Sequence, residues 1–462
     1  MEMTTPENIL AQIATQLGEV APEQVVRVAQ QMLREGLTPD LLLAGVIVLA
    51  IEELDPIAAE GAHTAALAAL GLIPSLMAAF PAADERRVKP ILAALLAVSA
   101  ALHNKAHSGY VPAALGEPEE MPTSVPEVTA ALLRDVRSGQ FEAAEREFLW
   151  LAQQEGIESA LRTLKSVAIE DLALGGTKVV LAAAAEPLLA IITPNASAMQ
   201  VEAALVSIAR AIAHLPRDPR RYEKALFLLE LYRGGTPISP AVIYQDLLRD
   251  SGDDGIARTA QAMAAGAAPE SLTPALMAAA AEVILRSDPM LYGVIGRVLP
   301  VTSAFGTIAT DRALPIRIRR IAMLQAAGWI AEQRAVARTQ RLWLDEPLYL
   351  TTESPPVPDN VSEAAQTLAA LLDASKGIQA AALLQRLPEA FIADSTLHQV
   401  LILAASRFDR DPSSLEIDIP EALLSTAAAL SAVKMAAGKI EPAEVGNPAL
   451  VLAALARQLC TH

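Results

Sequence analysis

The chain has 462 residues, of which 53% are hydrophobic and only 3% aromatic, and its formal net charge at pH 7 is −17. So large an apolar share excludes intrinsic disorder, because the chain can bury enough surface to offset its ordering entropy. Its abundance of alanine, the strongest helix former, and its few aromatic residues exclude an all-β protein. The acidic charge argues against a nucleic-acid partner, since phosphates are bound by Lys and Arg.

Apolar residues recur at intervals of three and four along almost the whole chain, which predicts an all-α protein without substantial sheet. The predicted helices, bounded by Pro, Gly or Asp-Pro, include Pro22–Glu35, Pro39–Leu54, Val88–His103, Val125–Gly139, Phe141–Glu155, Ile157–Leu174, Lys178–Ile192 and Ala198–Leu215. Two segments, Gly109–Pro126 and Asp345–Asn360, are rich in proline and have no helical period, so they are predicted to be long loops.

Repeated motifs predict an internal duplication. Leu-Thr-Pro begins at Leu37 and again at Leu272, and a Glu-Ala-Ala motif follows each occurrence, with one long loop in between. We therefore expect an elongated body of two pseudo-repeated helical halves, Met1–Arg233 and Gly234–His462, with a ligand cleft between them. A stacked α-solenoid of helix pairs is the alternative packing.

Several features bear on the cellular location. The single cysteine, Cys460, excludes disulfides within the chain and favours the reducing cytoplasm. Met1–Asn8 has no basic region of the kind that opens a signal peptide. The longest uncharged run, Gly61–Ala83, is rich in alanine and contains two prolines, so we expect packed helices there and no membrane insertion. The basic segment Arg312–Arg341 is interpreted as a solvated helix face paired with acids.

Four side chains are candidates for catalytic chemistry. His63 lies among small apolar residues, and Lys178 opens an almost uncharged helix directly after a Gly-Gly pair. A lysine at the head of a buried helix can have a lowered pKa and act as an acid, a base or a Schiff-base amine. Asp394 lies one helical turn before His398 and can orient or charge its imidazole. Each has a structural alternative: a satisfied core histidine, or a lysine that extends to water.

A metal site is not expected. His103 and His107 have the i,i+4 spacing of two ligands on one helix face. However, Asn104-Lys105 stands where a zinc helix has its general-base glutamate, and a cation opposes metal binding. We interpret the pair as a helix end, where the dipole favours histidine. The sequence also lacks the phosphate-binding loop, the dinucleotide-binding glycines and the serine-hydrolase elbow.

Three segments resemble the questin oxidase-like family and its bacterial relatives, all-helical proteins of which some are associated with Rieske-type proteins. The first, Arg34–Leu67, reads REGLTPDLLLAGVIVLAIEELDPIAAEGAHTAAL and supplies His63. The second is the GGTK of Gly175–Lys178, and the third is the ADSTLHQVLILAA of Ala393–Ala405. Where the family has histidine in its Gly-His-Lys motif, this chain has Thr177, which implies a divergent or inactive member.

The resemblance implies an oxidoreductase of the monooxygenase type. The fungal members resemble NADPH-requiring oxygenases that cleave an aromatic ring in a Baeyer–Villiger manner, so the implied substrate is an apolar aromatic or quinone-like molecule and NADPH is the implied cofactor. His63, Lys178, Asp394 and His398 are then the catalytic candidates. Composition alone favours the alternative, a non-catalytic helical-repeat scaffold or a ligand- or protein-binding module. A protein partner or a homo-oligomer fits either function.

Overall fold

The computed structural model describes residues 6–54, 60–104, 124–214, 217–249, 253–347, 355–407, 414–437 and 447–460. Regular secondary structure within these ranges is helical, apart from an isolated antiparallel bridge between Ser287 and Trp343. The prediction of an all-α fold is therefore confirmed. His107 and most of the predicted loop Gly109–Pro126 lie outside the described residues, as does the central part of the loop Asp345–Asn360.

The chain forms two compact units, each assembled from separated segments. The first unit comprises Met1–Met77, Glu85–Asp218 and Ser406–Glu421, and the second comprises Ala78–Asp84, Pro219–Ala405 and Ala422–His462. The two sequence-based halves, which meet after Arg233, and the duplication that relates them stay predictions.

The first unit is built on ten helices of the described chain. They are α1 (Pro6–Gly18), α2 (Pro22–Arg34), α3 (Pro39–Glu53), α4 (Glu60–Met77), α5 (Lys89–His103), α6 (Val125–Ser138), α7 (Phe141–Glu155), α8 (Ile157–Ala168), α9 (Ala173–Ile192) and α10 (Ala198–His214). The hydroxyl of Thr38 accepts the Leu41 N–H at 3.3 Å, so it caps α3 as predicted. Where α4 crosses α9, a Cβ at Gly71 would lie 2.7 Å from the carbonyl oxygen of Ala184, so only glycine fits.

The boundary between α8 and α9 differs from the prediction. The predicted helix Ile157–Leu174 ends at Ala168, and α9 starts five residues before its predicted first residue, Lys178. Gly175 and Gly176 lie in the first turns of α9 with φ angles of 69° and 76°. This left-handed conformation is open to glycine without steric cost. The glycine pair, which reads as a break between helices, is therefore a bend inside the start of α9.

The second unit contains most of the remaining helices. They are α11 (Arg220–Leu231), α12 (Pro240–Leu247), α13 (Asp253–Ala264), α14 (Thr273–Arg286), α15 (Tyr292–Ile295), α16 (Val298–Thr310), α17 (Ile316–Thr339), α18 (Val361–Asp373), α19 (Gly377–Arg386), α20 (Glu389–Ile392), α21 (Ser395–Ala405) and α23 (Pro448–Leu459). Helix α22 (Leu415–Ala437) begins in the first unit and ends in the second. The buried Arg457 of α23 donates to the carbonyl oxygens of Leu285 and Ser287 at the end of α14. This guanidinium satisfies carbonyls that a helix end leaves without partners.

The basic segment Arg312–Arg341 is only partly a solvated face. Arg319 is buried and its Nη2 lies 2.6 Å from Glu270 Oε2, so the expected pairing with an acid is confirmed there. Arg334 is also buried, and its guanidinium lies 5.5 Å from the centroid of the Trp343 ring. The interpretation as a solvated face is wrong for these two residues, because their long side chains cover neighbouring helices.

Two described segments, Gly175–Ile192 and Pro289–Thr310, are long and apolar enough to cross a membrane. Within the fold, 67% of the first segment and 72% of the second are buried inside the protein. Core helices of soluble proteins meet the same criterion of length and composition. The expectation that no segment inserts into a membrane therefore stays a prediction.

Candidate functional site

The four catalytic candidates are divided between the two units. His63 on α4 and Lys178 on α9 belong to the first unit, whereas Asp394 and His398, at the start of α21, belong to the second. Each of the four side chains makes a hydrogen bond or an ion pair within its own unit.

His63 is fully buried in the helical core of the first unit. Its Nε2 lies 3.2 Å from the hydroxyl oxygen of Ser207 on α10. Buried polar groups normally have such a partner, because leaving one unpaired costs the full desolvation penalty. The contact ties α4 to α10, which is the structural role that the sequence left open for this histidine.

Lys178 forms a buried ion pair that the sequence did not indicate. Its Nζ lies 2.9 Å from Asp171 Oδ2, and the two side chains are 2% and 4% exposed. The other carboxylate oxygen of Asp171 accepts the Ala173 N–H at 3.1 Å. Burial lowers the pKa of Lys178 and raises the pKa of Asp171, while the attraction between the two charges opposes both shifts. A proton can move between Lys178 and Asp171, but neither side chain is accessible to solvent.

A second buried carboxylate adjoins this pair. Glu170 is 2% exposed, and its oxygens accept from Arg137 Nη2 at 2.5 Å and from Arg217 Nη2 at 2.8 Å. Arg217 also acts through its charge on Lys178, whose pKa it lowers further. Next to Lys178, the hydroxyl of Thr177 is buried with no hydrogen-bond partner among the described residues. Thr177 is thus inside the core of the first unit.

His398 and Asp394 are both bound to backbone groups. His398 is 8% exposed, and its Nε2 donates to the carbonyl oxygen of Ile392 at 2.8 Å. Burial lowers the pKa of His398, which favours the neutral imidazole. Asp394 Oδ1 accepts the Thr396 N–H at 2.8 Å and so caps α21. The ring of His398 is therefore oriented by a backbone carbonyl, and Asp394 acts on it through charge.

Within the described ranges, no three His, Cys, Asp or Glu side chains are arranged to hold a metal ion. His103 is the last residue of α5, as the helix-end interpretation expects, and its Nδ1 lies 2.8 Å from the Ser99 carbonyl oxygen.

A pocket in the second unit lies between α11, α13 and α17. It is a half-open cleft with a volume of about 210 Å³. Its charged lining consists of Arg221 and Lys224 from α11, Asp253 from α13 and Glu332 from α17. Only the i,i+3 spacing of the two cations indicates this pocket in the sequence, because the three helices are separated along the chain.

The charged residues of the pocket form two ion pairs at its mouth. Lys224 Nζ lies 2.5 Å from Asp253 Oδ1, and these side chains are 47% and 65% exposed. Arg221 pairs with Glu332, and its guanidinium lies 5.4 Å from the centroid of the Trp329 ring. These contacts hold both cations at the entrance, where a polar ligand would meet them.

The inner surface of the pocket is mostly apolar, with one buried polar side chain, Gln325 of α17. Ala225, Ile256, Leu324 and Ala331 contribute small or aliphatic side chains. Gly328 of α17 also lines it, and a Cβ added there would meet only Arg221 Cδ, at 3.9 Å. A larger side chain at this position would therefore extend into the cavity without displacing the packed core. An apolar interior with a few polar groups at the mouth is typical of small-molecule sites.

No protein-family model matches the chain, and neither curated protein sequences nor solved structures show a significant match to it.

Proposed function

We propose that the protein is a non-catalytic helical module that binds a small polar molecule in the pocket between α11, α13 and α17. The observation that carries this proposal is the cavity of about 210 Å³, with an apolar interior and four charged side chains at its mouth. Concave sites of this composition are the usual places for ligands in helical proteins.

The surroundings of the four catalytic candidates support a non-catalytic function. A general acid or base must come within hydrogen-bond reach of its substrate. His63 and Lys178 are 0% and 2% exposed, and His398 donates its ring N–H to a backbone carbonyl. Because their contacts are internal, these side chains act as structural groups in this proposal.

The size of the pocket limits the ligand. A cavity of about 210 Å³ is below the range of roughly 300–1,000 Å³ that encloses drug-sized ligands. NADPH, the cofactor that the family resemblance implies, does not fit into it. The ligand of this pocket is therefore a small metabolite.

The test is a screen of small polar metabolites by thermal shift and ligand-observed NMR. Gly328→Leu should abolish binding of the hits, because its side chain extends into the cavity. Gly293→Leu is the matched control, since Gly293 is an exposed helical glycine with no atom within 4 Å of an added Cβ. Hits that bind equally to both variants, or a screen without any hit, would contradict the proposal.

A second candidate function, an oxidoreductase of the questin oxidase-like type, is favoured by one observation. The buried Lys178 has a lowered pKa and a carboxylate partner, the environment in which a lysine can move a proton at neutral pH. Its test is NADPH oxidation with quinones or aromatic ketones as substrates. Turnover that is lost in the double variant Asp171→Leu/Lys178→Met, with the fold intact by circular dichroism, would favour this candidate over the binding module.

A further inference from the structure

We propose that the ligand of this pocket is a small uncharged molecule with a short aliphatic body and one amide group, which hydrogen-bonds to Gln325. The inference rests on the binding function proposed above and adds the chemical class of the ligand and the residue that recognises it. It is carried by the balance of charge at the mouth and by the single uncharged polar side chain among the described lining residues.

The charged side chains at the mouth already neutralise one another. Lys224 Nζ lies 2.5 Å from Asp253 Oδ1, and Arg221 pairs with Glu332. A charged ligand would have to displace one member of such a pair, so it would exchange one ion pair for another without adding any. The charges of the two pairs sum to zero, so the mouth has no net attraction for an anion or a cation. This balance favours an uncharged ligand.

The rest of the lining is mostly apolar. Ile256 of α13 and Leu324 of α17 are 7% and 1% exposed, and three alanines and Gly328 complete the surface. An aliphatic body that packs against these side chains is removed from water, which supplies part of the favourable free energy of binding. Because the volume of the pocket is only about 210 Å³, this aliphatic body is short.

Gln325 supplies the uncharged polar group of this lining. It follows Leu324 on α17 and is 1% exposed. A glutamine amide has two donor hydrogens and an acceptor oxygen with two lone pairs, so it can bond to a ligand in addition to a partner within the protein. A ligand amide can accept from Gln325 and donate to it at the same time. A hydrocarbon at the same place would make no hydrogen bond to this side chain, so Gln325 favours a ligand that carries an amide.

The experiment compares ligands of the same shape and different charge by isothermal titration calorimetry. The probes are 3-methylbutanamide, which is uncharged, 3-methylbutanoate, which is an anion, and 3-methylbutanamidine, which is a cation at neutral pH. The amide should bind the wild-type protein at least about tenfold more tightly than either ion. Its affinity should be the same at low and high concentrations of sodium chloride, because salt screens interactions between charges.

The hydrogen bond to Gln325 is tested from both sides. On the ligand, 4-methylpentan-2-one has a methyl group in place of the amide nitrogen and should bind the wild type about fivefold more weakly than the amide. On the protein, Gln325→Leu and Gln325→Met should each weaken the amide about fivefold, in variants whose circular dichroism matches the wild type. Gln333→Leu is the matched control, since Gln333 is a buried glutamine of the same helix that does not line the pocket, and it should leave the affinity unchanged.

The possible failures of the two proposals are distinguishable. If either ion binds as tightly as the amide, the ligand is not an uncharged molecule. If Gln325→Leu and Gln333→Leu bind the amide equally well, Gln325 is not the residue that recognises it. If no probe binds while metabolites from the screen bind in a manner that Gly328→Leu abolishes, the ligand class is wrong and the binding function stands. If neither the probes nor the screened metabolites bind, both proposals are overturned.

Discussion

Asp171 and Lys178 form an ion pair with a separation of 2.9 Å, across the left-handed glycine bend that opens α9. Both charges are removed from water, so the pair is favourable only while both partners are present. The bend at Gly175 and Gly176 lies between Asp171 and Lys178 in sequence, so the backbone changes direction between the two charges. The ion pair anchors the start of a long apolar helix to the segment that precedes it.

Breaking this pair should be strongly destabilising. We expect Lys178→Met to lower the free energy of unfolding by about 3–5 kcal/mol, because it leaves the Asp171 carboxylate buried without its partner. The double variant Asp171→Leu/Lys178→Met should regain most of that loss. Urea denaturation of the single and double variants measures both effects.

The exposed pair of Lys224 and Asp253 provides the comparison. Lys224→Met should change the free energy of unfolding by no more than about 1 kcal/mol, because the pair is solvated. Equal losses for Lys178→Met and Lys224→Met would show that burial of the first pair has no energetic consequence.

The glycine bend itself is testable. Gly176 has a φ of 76°, so Gly176→Ala should lower the free energy of unfolding by about 1–2 kcal/mol through the strain of a Cβ in the left-handed region. Gly61→Ala, in α4, should be neutral or slightly stabilising, since no atom lies within 4 Å of an added Cβ. Thermal unfolding measures the stability of both variants. A Gly176→Ala variant as stable as the wild type would contradict the left-handed conformation of Gly176.

The pH dependence of stability should contain a contribution from Glu147 on α7. Burial and the neighbouring Asp135 carboxylate of α6 raise the pKa of Glu147 from 4.5 to about 8. The folded protein therefore binds this proton more tightly than the unfolded chain. The stabilisation is complete below about pH 4.5 and is lost as the pH rises through about 8. We expect Glu147→Gln, which mimics the protonated form, to be more stable than wild type at pH 8.5 by on the order of 1–3 kcal/mol.

The advantage of Glu147→Gln should shrink towards zero at pH 5, where the wild-type side chain is protonated in the folded state. Glu142→Gln, an exposed position on the same helix, controls for the change in net charge. Parallel curves of unfolding free energy against pH for wild type and Glu147→Gln would contradict the raised pKa of Glu147.

His398 should behave as a structural residue. His398→Ala leaves the Ile392 carbonyl without its donor and should lower the free energy of unfolding by about 1–3 kcal/mol. Burial lowers the pKa of His398, so its contribution is complete above pH 6.5 and is lost as the pH falls further. Metabolite binding should be unchanged, since His398 does not line the pocket. Lost binding with intact stability would instead assign it a functional role.

Much of the helical architecture follows from the sequence. The predicted helix Phe141–Glu155 has the bounds of α7, and Pro22–Glu35 differs from α2 by one residue, because apolar periodicity and proline or glycine boundaries coincide there. The start of α9 is missed because two adjacent glycines normally end a helix, and only the tertiary packing of the segment around Asp171 shows that they bend it.

The candidate site was much less accessible to sequence reasoning. The sequence indicates Lys178 as an unusual buried lysine, but its partner Asp171 lies in the non-helical segment before α9, so helical spacing does not identify the pair. The pocket requires helices α11, α13 and α17, which are separated by many residues and meet only through tertiary packing. Charged residues such as Glu332 look like ordinary surface residues until the tertiary packing shows that they pair with a cation of another helix.

The interleaved order of the two units has a consequence for biosynthesis. Ser406–Glu421 belongs to the first unit, and Asn104 Nδ2 donates to Glu416 Oε1 of that segment at 3.2 Å. The ribosome produces this segment only after Pro219–Ala405, the largest segment of the second unit, has been made. The nascent first unit therefore leaves the exit tunnel incomplete, with apolar surface that awaits a late segment. Folding of the first unit is therefore expected to finish only after Ser406–Glu421 has left the ribosome.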